Sequence, residues 1–321
     1  MTTRFAHPSR PAGEGQAGEN GGLPPGQAPA PARRRRWRSR DATAALLMLA
    51  PVLLCLIVLR LLPAVIAVVD SLHRNTLLGG SHFVGLDNYG TVFADPTFRK
   101  SLGVTLLFSV VINPLQVAAA LALAMLYTRG FTGTGLWRTL VILPIAAPPA
   151  VAATIWGIIY RPDGLGNAVL HAVGLGSQGL LTDPHQALAC IILLLSWAGV
   201  GYWMLFLIAG INEIPETLYE AAELDGASAW RRFTAVTFPL LRRPLAFVLV
   251  ADTVSNFLVF APVQQLTNGG PRQSTDLIMF DIYTRAYTYG DQATAQAEVV
   301  VLVLLVLAVV TIQFRMLRSK D

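Results

Sequence analysis

The 321-residue chain is 54% hydrophobic and only 13% charged, roughly half the charged fraction of an ordinary soluble domain, and its mean hydropathy is +0.53. A water-soluble globule of that composition would expose far more apolar surface than it could cover. A soluble enzyme, a disulfide-stapled secreted domain and a disordered chain are therefore excluded, and an integral membrane protein remains. The net charge of +5 does not indicate nucleic acid, because its placement follows the membrane instead.

Residues 1–32 are rich in Gly and Pro with no apolar periodicity, so they predict a disordered tail. Arg33, Arg34, Arg35, Arg36, Arg38 and Arg40 follow immediately before an apolar run, the composition of a juxtamembrane anchor for anionic headgroups. That run, 42–69, is too long for the core of a signal peptide and predicts a retained first span. Five more stretches are long and apolar enough to cross about 30 Å of hydrocarbon: 102–127, 136–159, 187–209, 245–263 and 293–314. Helices are expected, because lipid offers backbone amides no partner and no ten-residue alternation of a barrel is present. Cys55 and Cys190 lie inside apolar runs and read as membrane-buried thiols.

Arginine placement sets the orientation. With the N-terminus inside, the arginine run, Arg129, Arg138, Arg231, Arg232, Arg242, Arg243, Arg315 and Arg318 are all internal, while the outer loops carry few basic residues. The sequence thus predicts an all-α membrane protein of six transmembrane helices with both termini cytoplasmic. Residues 1–40 form a cytoplasmic tail, 41–316 the six-helix domain and 317–321 a short cytoplasmic end.

The inner connection at about 212–244 is too long to be idle. It contains Glu220, Ala221, Ala222, Asp225, Gly226 and Ala227, then Trp230, Arg231, Phe233 and Pro239. Residues 218–224 favour helix, Gly226 permits a sharp turn, and Trp230 and Phe233 are spaced to share one face of a second short helix. This stretch resembles the cytoplasmic coupling loop of permease subunits in binding-protein-dependent ABC importers: Glu-Ala-Ala, a glycine shortly after and a later proline. Phe83 to Tyr89 and Leu266 to Pro271 resemble further marks of the carbohydrate-uptake type.

The resemblance implies a type I importer permease fold in the cytoplasmic (inner) membrane. It also implies alternating access and a sugar or oligosaccharide, or glycerol-3-phosphate or a glycerophosphodiester, as solute. The implied partners are a second homologous permease, two ATP-binding cassette ATPases, an extracytoplasmic solute-binding protein and the lipid bilayer, with no nucleic acid. No Gly-x-x-x-x-Gly-Lys phosphate loop is present in the sequence. The chain is accordingly expected to be no enzyme and to bind no cofactor, with ATP and Mg held by the partner ATPase. An ion-coupled secondary transporter is the alternative; it would leave the long inner loop unexplained.

Polar groups at membrane depth are costly and mark a solute path or an interhelical bond. Helical spacing places Asp252, Asn256 and Gln264 near one stripe of the fifth span, and Tyr202 offers an aromatic platform. The resemblance implies a pathway of Gly201, Tyr202, Asn256, Phe260 and Gln264, to which the stripe adds Asp252. Arg60 is expected to pair with Asp70 or another helix. Glu298, where the family commonly has a small polar residue, has two readings: a contact with solute or cation, or a reach to the outer interface. Arg272 and Arg285 are the arginines that a phosphate would call for.

Overall fold

The computed structural model describes residues 39–75, 80–128 and 133–317. The predicted tail, most of the arginine run and the end of the chain lie outside them. Described by itself, the N-terminal unit, which ends at Leu56, carries α1 (Ser39–Leu56), an apolar helix with Pro51 inside it.

The second unit begins with a π-helical turn, Ile57–Leu61, and α2 (Leu62–Asp70). A two-stranded antiparallel hairpin follows, β1 (His73–Asn75) with β2 (Ser81–Phe83), then α3 (Asp87–Ala94). The long α4 (Pro96–Thr128) is followed by α5 (Thr134–Ile142), α6 (Pro149–Ile159) and α7 (Leu165–Ala172). Next come α8 (Ala187–Asn212), α9 (Glu216–Leu224), α10 (Ala229–Arg232), α11 (Phe238–Leu240) and α12 (Arg242–Phe257). The chain closes with α13 (Ala261–Leu266), α14 (Ile278–Tyr283) and α15 (Gln292–Leu317).

Four helical stretches among the described residues are long and apolar enough to cross a membrane: Ala44–Asp70, Pro96–Thr128, Ala187–Asn212 and Gln292–Met316. Two bent pairs raise the number to six if each counts as one span. The first corrects the expectation of one continuous third span; the second lies ahead of the fifth span predicted at 245–263, which is corrected by its early end instead. In the third, Gly135–Ala146 and Pro149–Ile159 meet at 104°. Pro148 drives Ala147 out of the helical region, to φ −83°, ψ 122°, because a residue before proline clashes there. Ahead of the fifth, Ala229–Leu240 and Arg242–Phe257 meet at 69°, and the helix of that span stops at Phe257 instead of running to 263. Pro262 has no amide hydrogen, and its ring would strike the Leu258 carbonyl in a continuous helix. The chain restarts as α13 with Pro262 in its first turn.

α4, α8 and α12 pack around Ala120, Ala124, Met204, Leu207, Leu241 and Val248, all fully buried. A buried polar ladder crosses the same bundle. Asn256 Nδ2 donates to Asn113 Oδ1 (2.7 Å) and Gln116 Oε1 (3.0 Å). Asn113 Nδ2 donates to Thr253 Oγ1 (3.0 Å), as does Gln313 Nε2 from α15 (2.8 Å). Gln116 Nε2 donates to the Leu195 carbonyl of α8 (2.9 Å).

Arg60 lies on the π-helical turn ten residues before Asp70, and no ion pair involves either among the described residues. Helical rise separates them by roughly 15 Å, which rules out the expected direct pairing of Arg60 with Asp70.

Candidate functional sites: a two-helix ledge and a membrane-depth cavity

The ledge at α9 and α10 is built from short-range rules. Pro215 precedes α9, and Glu216 in its first turn suits the positive end of the helix dipole. α9 ends in a complete C-terminal cap. Gly226 sits at φ +71°, its amide donates to the Glu223 carbonyl (3.0 Å), and the Ala227 amide reaches back to Ala222 (2.9 Å). That pair of bonds requires a left-handed residue at Gly226, where a side chain would be strained. Ser228 then caps α10 by accepting from the Arg231 amide (3.3 Å). An exposed ion pair, Arg232 Nη1 to Glu223 Oε1 at 2.9 Å, links α9 to α10, and a hydrogen bond between the Tyr219 and Thr237 hydroxyls, 3.0 Å, ties α9 to the π-helical turn Phe233–Thr237 that follows.

The ledge displays what it does not bury. Leu224 is 91% exposed and Trp230 72% exposed, with the Trp230 ring 5.5 Å from Phe233. Glu220, Ala221, Asp225, Gly226 and Arg231 are exposed, while Ala222, Ala227, Phe233 and Pro239 are half-buried. The residues singled out in the sequence therefore come together on one surface feature. Leu224 was missed, although an apolar residue at the end of a polar helix is a readable sign of an unpartnered face.

At membrane depth the two helix breaks flank a cavity of about 560 Å³. Asp252, Asn256, Tyr202 and Phe260 line it together with Gln116 of α4 and Trp203 of α8. Asp252 and Asn256 stand one turn apart, and Asn256 Nδ2 donates to Asp252 Oδ1 at 3.2 Å. Tyr202 stacks edge-on with Trp203, ring centres 4.8 Å apart. Gln116 was overlooked; its position inside an apolar span was the available signal.

Two expected pathway residues do not line the cavity. Gln264 is carried off the stripe by the break after Phe257 and is exposed on α13. Gly201 is a close-approach residue: a Cβ there would stand 2.1 Å from the Val141 carbonyl oxygen. Gly201→Val is therefore expected to push α8 from α5 and abolish assembly of the complex in a pull-down, whereas substitution at the exposed Gln264 leaves assembly intact.

The junctions of α3 with α4 and of α14 with α15 settle Glu298 and Arg285. Glu298 is fully buried and its Oε1 lies 2.5 Å from Arg285 Nε. Arg285 also bonds the Asp95 carboxylate, and the Ser101 hydroxyl donates to Asp281 beside it (3.3 Å). Burial alone would raise the Asp95 carboxyl, but the Arg285 bond and the Thr97 amide outweigh it and hold it below its ordinary value. Glu298 thus belongs to an internal ion cluster rather than to the solvent interface. Arg285 is engaged there too, and neither it nor Arg272 lines the cavity.

The profile described as "Binding-protein-dependent transport system inner membrane component" matches residues 116–320. The sn-glycerol-3-phosphate transport system permease protein UgpA of Agrobacterium fabrum (strain C58 / ATCC 33970) is 34% identical over 277 residues, covering 85% of this chain and 94% of that protein. UgpA of Yersinia pestis is 36% identical over 243 residues, covering 75% and 82%. Among solved structures, a chain of the bacterial alginate ABC transporter, in complex with its alginate pentasaccharide-bound periplasmic protein, shares the fold. Its TM-score is 0.78 at 22% identity, covering 89% of this chain and 98% of that one. Fold, profile and relatives agree: the chain belongs to the family of inner membrane components of binding-protein-dependent transport systems.

Proposed function

We propose that this chain is one transmembrane half of an ATP-driven importer in the cytoplasmic membrane, with six spans and both termini inside. A second, homologous permease completes the path. Of two ATPase subunits, one docks on the ledge formed by α9 and α10 and the other on the second permease, and an extracytoplasmic binding protein delivers the solute. ATP and Mg are held by the ATPases; this chain couples their closure to alternating access of the cavity. The solute is a sugar or oligosaccharide, or glycerol-3-phosphate or a glycerophosphodiester, the former suggested by the alginate transporter that shares the fold and the latter by the relatives named above.

The observation that carries the reading is the ledge itself: a capped two-helix element that leaves Leu224 and Trp230 bare beside Glu220 and Asp225. Exposed apolar side chains on a polar element mark a protein interface. Labelling tests the orientation. In a Cys55→Ser background, a cysteine at Ser177 is expected to react with an impermeant thiol reagent in intact cells, and one at Ser228 only in inside-out vesicles. Reaction of the Ser228 site in intact cells would overturn the orientation and the coupling role together.

A further inference from the structure

We propose that a groove between α4 and α5 binds one anionic phospholipid. Arg138 and Tyr127 take the phosphate of its headgroup, and the apolar side chains leading to the elbow take the upper part of an acyl chain. The inference goes beyond the proposed function: it requires the chain to span a bilayer and holds whatever the solute is.

The groove, about 710 Å³, is lined by Tyr127 at the end of α4, by Arg138 and Thr139 of α5, and by Ile142, Leu143 and Ile145 on the way to the elbow. Arg138 is exposed and is the charged side chain among the described residues that line it. Its guanidinium stands over the Tyr127 ring, 5.4 Å from the ring centre, and Nη1 donates to the Tyr127 hydroxyl at 3.3 Å. No carboxylate pairs with it among the described residues. The sequence from 96 to 162 contains no Asp or Glu, whereas a further cation, Arg129, follows Tyr127 by two positions. An arginine held by an aromatic ring and lacking an anion is half of an ion pair, already oriented.

The missing half is an anion with an apolar tail. A guanidinium presents a planar fork that matches two oxygens of a phosphate. The Tyr127 oxygen accepts from Arg138 and keeps its own proton to donate to the same phosphate. Ile145 lies roughly 10 Å further along the chain path than Arg138, so the wall runs from headgroup level into hydrocarbon, with Leu143 61% exposed along it. Tyrosine and arginine at the end of a span stand at headgroup depth, where basic pockets between spans take anionic lipid. A free phosphate would leave the apolar wall bare. A choline lipid would bring a second cation beside Arg138, which an anionic lipid does not.

The test uses the purified complex of both permeases and both ATPases, stripped of lipid in detergent. It is titrated with phosphatidylglycerol or phosphatidylcholine, and bound lipid is counted by native mass spectrometry. The arginine run at 33–40 is the same in every variant and contributes a common background. The parent is expected to hold one phosphatidylglycerol that Arg138→Gln holds about fivefold more weakly or worse, with phosphatidylcholine weak in both. Tyr127→Phe keeps the ring and is expected to lose less. Phosphatidylglycerol binding unchanged in Arg138→Gln, or phosphatidylcholine bound by the parent equally tightly, overturns the proposal. Displacement of the lipid by millimolar glycerol phosphate also overturns it, in favour of a free phosphate. Unchanged lipid binding with loss of the second permease in a pull-down would assign the groove to the permease interface instead. Should Arg138→Gln not assemble, Leu143→Trp fills the groove from its exposed wall and is expected to weaken phosphatidylglycerol likewise; parent-like binding there overturns the proposal. ATPase pull-down from the same preparation reports the permease reading separately.

Discussion

Gly226→Pro is expected to cut solute-stimulated ATP hydrolysis in the reconstituted complex by roughly tenfold or more, the scale of a lost intersite coupling. Two independent features of the cap fail at once. Proline fixes φ near −65° where the native value is +71°, and it removes the amide that donates to the Glu223 carbonyl. The direction in which α10 leaves α9 then changes, and with it the position of Trp230 relative to Leu224. Gly226→Ala keeps the amide and strains only the backbone, by about 1–2 kcal/mol, so a smaller loss is expected. Glu220→Lys probes the charge: reversing one partner of a desolvated pair costs about 2–5 kcal/mol and is expected to weaken ATPase pull-down. Full stimulation in both Gly226→Pro and Glu220→Lys would mean that the ledge is not the coupling element.

Arg285→Ala is expected to destabilise the folded chain by about 3–5 kcal/mol, the usual effect of removing one partner from a buried ion pair. It leaves the fully buried Glu298 without its cation and Asp95 without the bond that lowers its carboxyl. Adding Glu298→Gln removes the stranded charge and is expected to recover much of the loss, a rescue that a simple packing defect would not show. Thermal unfolding of the detergent-extracted complex reads both variants; a melt of Arg285→Ala indistinguishable from the parent's would refute the role of the cluster. The pH dependence has a definite sign. Because the folded Asp95 carboxyl lies below its unfolded value, the stability from its pair with Arg285 is present above the ordinary carboxylate range. It is lost as the pH falls through the lowered value.

What could be read from the sequence was what short-range rules control. The cap at Gly226 is settled within a few residues, so the ledge was legible down to the turn. The elbow at Ala147 and Pro148 was equally local, and its prolines were visible, but the apolar run from 136 to 159 was read by hydropathy alone, which does not register backbone geometry. The same oversight at Pro262 placed Gln264 on a helical stripe that ends before it. The ion cluster around Arg285 is different in kind. Arg285 and Asp95 are 190 residues apart, and no pattern in either neighbourhood announces the other. Asn256 was found as an intramembrane polar residue; its partners Asn113 and Gln116 were not, although the same rule applies to them, because their span was read as uniformly apolar.

The amide ladder through Asn113, Gln116, Asn256, Thr253 and Gln313 also constrains how the protein moves. Each such bond in a membrane interior is worth about 0.6 kcal/mol, and sliding one helix by a turn would break several together. α4, α8, α12 and α15 therefore travel as a stiff block, pivoting without changing register. Under the proposed function, a stroke applied at α9 would enter this block through α8, and the close packing of Gly201 on Val141 would pass it to α5, whose elbow at Ala147 lies on the wall of the cavity.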